Sequence, residues 1–325
     1  MSNMTPTRVG VTDGVTDGSF AQDNELFLKL FAGEVITAFD EANVMKDLHM
    51  SRTITSGKSA SFPATWKTGA GYHTPGTQLL GGQTVKHNER VINVDDFLIS
   101  DVFVAKIDEL KNHYDVRSEY TKQMGAALAK SFDKQTQQVA VLAARSAATV
   151  SGGNGGSRLV NASAATDATV LTNLCYTAAQ TFDEKDIPDD GGRVLVVKPA
   201  QYYMLLTNKD LLNKDYGVAN GDYAKGRIET AAGIDIVKSN NVPSTNIAAA
   251  TAGENNTYFG DFSATVAICF HRSAIGTVKM MDLAVSKTDD DGDFMTQYNG
   301  TLLVAKYLMG HGILRPESAI EFATL

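Results

Sequence analysis

Residues 115–148 read DVRSEYTKQMGAALAKSFDKQTQQVAVLAARSAA, with no proline and one glycine. Large apolar side chains recur at Val116, Tyr120, Met124, Leu128 and Phe132, then at Val139 and Leu142. That is close to one per turn on a single face, the signature of an amphipathic helix. Asp115 suits the N-cap, Glu119 the positive end, and Gly152-Gly153 a stop beyond the last periodic position. At 1.5 Å per residue such a helix would be roughly 50 Å long, well beyond the usual three or four turns. A stripe of that length needs a sheet or a neighbour beside it throughout. The helix is a scaffold, and Tyr120, Met124, Leu128 and Phe132 are the side chains expected to pack it.

The chain has 325 residues, enough for one large domain or two ordinary ones. Its 43% hydrophobic and 20% charged residues fit a folded protein. A net charge of -8 and a pI near 5.3 offer no basic surface for nucleic acid. Mild acidity is compatible with the lining of a DNA container but does not imply one. Cys175 and Cys269 both sit in apolar contexts and are expected as buried free thiols. MSNMTPTRVGV at the start has neither an apolar run nor a basic lead, so no secretion signal is expected there. No apolar run approaches the ~20 residues that cross a bilayer, so no membrane partner is expected.

Residues 1–22 are polar and carry few large apolar groups to offset their ordering entropy. From Asn24 to about Met45, Phe27, Phe31, Val35 and Phe39 suggest a helix. Residues 51–107 read as a two-stranded arm. A polar strand runs from Ser51 to Trp66, anchored by Ile54 and Phe62. A tip from Lys67 to Gln83 follows, with five glycines and Pro75, and then a returning strand that turns apolar only at Phe97–Ile99 and Val102–Val104. The outer half has almost nothing to bury, and an isolated ribbon is marginal in water. Either it moves or it lies across another subunit, where exposed strand edges become an asset.

Beyond the long helix come a loop at 151–157, a short helix near 167–182, and a buried strand at 193–198. Pro199 pre-sets the next helix start. Strands follow near 233–238, 265–270, 277–285, 302–309 and 319–322. Strands and helices mix without regular alternation, which points to an α+β fold.

No motif for chemistry survives inspection. Gly57-Lys58-Ser59 resembles the end of a phosphate-binding loop, but Arg52 stands where its first glycine must be. Asp289–Asp293 resembles a calcium loop. Aligned on Gly292, however, its first ligand is Lys287 and its closing glutamate Tyr298. The six histidines are scattered, with no HExxH pair, no Cys-x-x-Cys and no G-x-S-x-G elbow. No catalytic residue, cofactor or metal site is expected.

Four stretches carry a resemblance: Gly57–Pro63 (GKSASFP), Asn112–Thr121 (NHYDVRSEYT), His271–Lys279 (HRSAIGTVK) and Ala305–Glu317 (AKYLMGHGILRPE). In this order, from residue 51 to the C-terminus, the chain resembles the major capsid proteins of T7-like tailed bacteriophages, which are podoviruses. The resemblance implies an HK97-type capsid fold. Its parts would be an N-terminal arm and helix (1–50), an E-loop arm and its base (51–107), and a peripheral domain with a spine helix (108–165). An axial domain (166–295) and C-terminal strands returning to the peripheral domain (296–325) complete it.

It also implies self-assembly as hexamers and pentamers into an icosahedral head, with a scaffolding protein and a portal as assembly partners. The head would enclose double-stranded DNA without sequence-specific binding, be made in the bacterial host cytoplasm, and have no active site. The chain departs from the family near Asp289–Thr296, acidic here and arginine-rich in relatives. Lys58, Phe62, Trp66 and Tyr72 on the E-loop are the expected assembly-interface residues. Some capsids of this type join an arm lysine to an asparagine; Lys58 and Lys67 are placed for it, but no crosslink is expected. Three other readings are an encapsulin-like nanocompartment shell, a non-shell virion part such as a decoration or tail protein and, from a different class, a cytoplasmic α+β enzyme.

Overall fold

The computed structural model describes residues 35–39, 42–79, 81, 84–105, 116–208, 221–222, 227–249, 255–288, 298 and 300–325. In chain order the elements begin with β1 (Met50–Thr53), β2 (Ser59–Thr65), β3 (His87–Asn93), β4 (Leu98–Ala105), α1 (Val116–Arg145), β5 (Ser157–Val160) and α2 (Ala168–Glu184). They continue with β6 (Arg193–Val197), α3 (Pro199–Leu206), β7 (Gly221–Asp222), β8 (Arg227–Ile228), β9 (Thr230–Ala231), β10 (Ile234–Lys238) and β11 (Asn246–Ile247). The last are β12 (Gly260–Asp261), β13 (Thr265–His271), β14 (Ile275–Lys287), β15 (Gly300–Ile313) and β16 (Ala319–Ala323). Two compact units are present, one of Met1–Asn43, Phe97–Phe132 and Met281–Leu308, the other of Val44–Asp96, Asp133–Met280 and Met309–Leu325.

The long helix forms as its period predicts, over 30 residues. Its Ala, Leu, Lys, Gln and Met content favours helix, and Arg145 in the last turn suits the negative end. It stops at Arg145, short of the glycines, because Ser146–Gly156 form a loop. Asp115, the expected cap, lies outside the described residues, as do residues 24–34 of the expected N-terminal helix and the acidic turn at 289–293.

α1 gives Val116–Phe132 to the first unit and Asp133–Arg145 to the second. In the first unit Met124, Gly125, Leu128, Ala129 and Phe132 are buried, while Lys122, Gln123, Ala126, Ala127 and Lys130 are exposed. Phe132, Phe39 and Tyr307 pack edge to face, with ring centroids 6.1–6.4 Å apart. Gly125 is there for space. A Cβ on it would stand 2.7 Å from the Val35 carbonyl oxygen and 2.8 Å from the Ala38 Cβ. β4 and β15 pair antiparallel from Ala105↔Gly300 to Leu98↔Tyr307. They belong to a four-stranded sheet of order β1-β14-β15-β4.

The second unit is built on a six-stranded mixed sheet of order β5-β16-β13-β6-β10-β9. β6, β13 and β16 are buried along their whole length, which fits their mostly apolar residues, Arg193, Thr265, His271 and Glu321 excepted. One face carries α2 and α3: Leu171, Cys175, Ala178, Phe182, Tyr202 and Leu205 close over Leu195, Val197, Cys269, Ile320 and Phe322. Asp167 caps α2 by accepting from the Thr169 and Val170 amides, and Pro199 opens α3.

Two strand expectations need adjustment. The strand expected from Ser51 to Trp66 is two strands, because Gly57 turns the chain at φ 104°, a value that side chains rarely tolerate. The expected returning strand is likewise two, β3 pairing β2 and β4 pairing β15, while β5, which no sequence expectation covers beyond Ser157, adds to the sheet parallel to β16.

Candidate functional site

The arm is a ribbon of β2 and β3 paired antiparallel from Ser59↔Asn93 to Thr65↔His87. Alternation gives it two faces. Ala60, Phe62 and Ala64 share one with Ile92, Arg90 and Asn88. Ser61, Pro63 and Thr65 share the other with Val91, Glu89 and His87. The first face is turned to the unit's own body: Ala60 and Ile92 are buried, and Phe62, Ala64, Trp66 and Arg90 half-buried. The Arg52 guanidinium stacks over the Phe62 ring at 5.6 Å, and a Cβ on Gly153 would touch the Trp66 indole at 3.2 Å. Lys58 and Tyr72 are exposed.

Beyond Thr65 the described tip residues form no strand, and nothing covers them: Tyr72 is 109% and Leu79 80% exposed. Of the four expected interface residues, then, Phe62 and Trp66 face inward and Lys58 and Tyr72 outward. Lys67 is ion-paired with Asp186. Of the spine residues, Met124, Leu128 and Phe132 are buried and Tyr120 half-buried.

The second strand of the arm is fastened by side chains. Lys86 Nζ donates to the Ser151 carbonyl at 3.0 Å, and Asn88 Nδ2 to the Thr149 carbonyl at 2.5 Å. Arg90 Nε donates to Thr149 Oγ1 at 3.0 Å and its terminal nitrogen to the Ala147 carbonyl at 3.5 Å. Beneath β2 the contact is looser. A groove of about 440 Å³ lies between Phe62–Lys67, Thr149–Val150 and Leu314–Glu317.

Polar groups buried at the root of the arm are joined in a chain. His49 Nδ1 lies 2.6 Å from the Met45 carbonyl, which can only accept, so Nδ1 holds the proton. His49 Nε2 therefore accepts from Thr277 Oγ1 at 2.6 Å, and Thr277 accepts from His311 Nδ1 at 2.8 Å. The His311 amide donates to the Tyr258 hydroxyl, which donates to Asp95 at 2.5 Å. Burial holds both imidazoles neutral, pushing His49 down to about 4 and His311 to about 3.

Two more clamps fix α1. Asp133, fully buried, accepts from the Val44 and Met45 amides at 3.0 Å; burial raises its pKa against those bonds. Glu321, also fully buried, takes Arg145 in two bonds of 2.6 and 2.7 Å, Arg158 at 3.2 Å and the Thr265 hydroxyl at 2.7 Å. The Arg145 pKa rises because of its hydrogen bond to Glu321.

Among the described residues no three His, Cys, Asp or Glu side chains are grouped to hold a metal, and no helix is long and apolar enough to cross a membrane. Cys175 and Cys269 are buried free thiols, and burial pushes Cys175 up to about 12.

An exposed arm on a body of two helices and a sheet suits a shell subunit, and similarity to known proteins points the same way. The family described as Gp10A-like major capsid protein matches residues 61–323. The chain belongs to this family. The major capsid protein of Escherichia phage T7 is 34% identical over 317 residues, covering 90% of each chain. The capsid structure of cyanophage P-SCSP1u is similar with a TM-score of 0.80 at 41% identity, over 100% of this chain and 99% of that one. The mature capsid of bacteriophage PhiM1 shares the fold, with a TM-score of 0.72 at 21% identity over 87% of each chain.

The fold is the HK97-type capsid fold, of class α+β. The Gp10A-like chain is a tailed-phage major capsid protein, a structural part of the virion shell and not an enzyme. These likenesses do not favour an encapsulin-like shell or a cytoplasmic enzyme.

Sequence reading missed Glu321, Asp133, the histidine chain and the donors on β3. Only the last left a local signal, Lys86-His87-Asn88-Glu89-Arg90, with donors at every second position.

Proposed function

We propose that copies of this chain assemble as hexamers and pentamers into the icosahedral head of a tailed phage. A scaffolding protein and a portal guide the process, and the head encloses double-stranded DNA without sequence-specific contact. The observation that carries the role of the arm is the bare tip, where Tyr72 and Leu79 have no cover on their own subunit. Fully covering a side chain of this size stabilises by roughly 1.5–3 kcal/mol. A neighbouring subunit supplies that cover, and repetition around a closed shell multiplies a modest contact. Phe62 and Trp66 act one step back, seating the arm on its own subunit so that Tyr72 reaches the next one, while exposed Lys58 stands at the arm's base. Tyr120, Met124, Leu128 and Phe132 keep the spine rigid beneath the shell. The net charge of -8 supports a DNA-facing surface that does not adhere.

Deleting residues 68–82 tests the arm. Closed shells seen by negative-stain microscopy should be lost or become irregular while the subunit stays folded. Shells of unchanged form and stability would overturn the role given to the tip.

A further inference from the structure

The donors on β3 meet their acceptors with a regularity that packing alone does not require. Asn88 and Arg90 lie two apart on β3 and Lys86 one residue before it, its carbonyl accepting from the Trp66 amide, so the three project from one face. Their acceptors, the carbonyls of Ser151, Thr149 and Ala147, are also every second residue, taken in the opposite direction. The side chains of one segment thus read the backbone of another in register, as an antiparallel strand would.

The orientation of the middle rung is fixed independently. Asn88 Oδ1 accepts from the Glu89 amide at 2.9 Å, which leaves Nδ2 aimed at Thr149. On the β2 side an open groove of about 440 Å³ remains beside Phe62–Lys67, so packing there is incomplete although Trp66 meets Gly153. Where packing is incomplete, directional bonds decide position.

We propose that Lys86, Asn88 and Arg90 are positioning residues that set the angle at which the arm leaves its subunit, and thereby the reach of the tip to a second copy of this chain. The tip's own role rests on the function proposed above; the ladder as the device that holds the arm does not. Because the acceptors are the backbone carbonyls and the Thr149 hydroxyl, all uncharged, the ladder depends on donors and not on charge. A donor of either kind serves at each rung, and an acceptor there repels. Small rotations at the rungs displace the tip by more than they displace the base, so loss of the ladder widens the range of contacts between copies.

The experiment compares Asn88→Asp, Lys86→Met/Arg90→Met, and the donor-keeping Lys86→Arg/Arg90→Lys, in the full-length chain. Asn88→Asp is nearly isosteric, keeps the bond from the Glu89 amide and turns the Thr149 donor into an acceptor. Hydrogen exchange of the unassembled subunit should rise at least tenfold in β2, β3 and Ala147–Ser151 for the first two variants. It should stay unchanged in β6 and β13, and throughout in the third variant. Shells from the first two should show a broader spread of diameters by light scattering. Unchanged exchange in the arm of Asn88→Asp and of Lys86→Met/Arg90→Met would overturn the ladder. So would equal loosening in the donor-keeping variant. If the ladder variants free the arm while shells lacking 68–82 form normally, the ladder stands and the tip's role falls.

Discussion

Glu321 holds two arginines and a hydroxyl on one carboxylate inside a strand otherwise made of Ala, Ile and Phe. Removing the carboxylate leaves buried Thr265 and the partly exposed Arg145 fork without their acceptor. Glu321→Ala should cost about 3 kcal/mol, the scale for breaking a buried ion pair, and Glu321→Gln less, since it keeps one acceptor oxygen. The denaturant midpoint of the unassembled subunit reads both.

The two histidines give a second residue-scale prediction. Their folded pKa values, about 4 for His49 and about 3 for His311, lie below the ordinary 6.5. The unfolded chain therefore binds more protons as pH falls below 6.5. The stability they contribute is complete above that value and is lost as pH falls toward their folded pKa values. For His49 the loss between pH 6.5 and 4 is about 3 kcal/mol, because each tenfold weakening of proton affinity on folding is worth about 1.4 kcal/mol. Urea titrations at pH 7, 6 and 5 should show the midpoint falling, and less steeply in His49→Gln. A flat profile would contradict the neutral, buried pair.

At the scale of elements, the crossing of α1 by residues 35–39 depends on Gly125. Alanine is worth about 1 kcal/mol over glycine in a helix interior, so propensity alone predicts a more stable protein. The new methyl would stand 2.7 Å from a backbone carbonyl oxygen and 3.0 Å from the Phe39 amide nitrogen, neither of which is the free end of a side chain. Gly125→Ala should therefore lose about 1–3 kcal/mol net, as overpacking does, and lower the melting temperature; a rise would contradict the close approach.

This is also the scale at which the sequence was legible. The turn-by-turn recurrence of Met124, Leu128 and Phe132 foretold α1, and the apolar runs Val194–Val197 and Val266–Phe270 foretold β6 and β13, because local pattern reports burial directly. Beyond Phe132 the stripe blurs: Thr136–Val141 are all buried, and much of that surface is Ala, Thr and Gln, which look neutral in a pattern. Asp133, Glu321, Thr277 and the histidines were illegible for another reason. Apart from the bond of His49 to Met45, their contacts reach across 34 to 228 positions of sequence, and no local pattern encodes a partner so far away. The resemblance to phage capsid proteins supplied the fold type, while the bare arm was readable from composition alone.

At the scale of the whole molecule, the account divides the arm between two owners. Its strands belong to their own subunit, held by Lys86, Asn88 and Arg90 and seated by Phe62 and Trp66. In the function proposed above its tip packs on the next subunit, since Tyr72 and Leu79 are left exposed on their own. Hydrogen exchange of residues 68–79, compared between unassembled subunits and closed shells of the unaltered chain, tests this most directly. Exchange there should slow at least tenfold on assembly, while the interior strands β6 and β13 keep the rates they have in the free subunit. A tip that exchanges equally fast in both states would contradict the division.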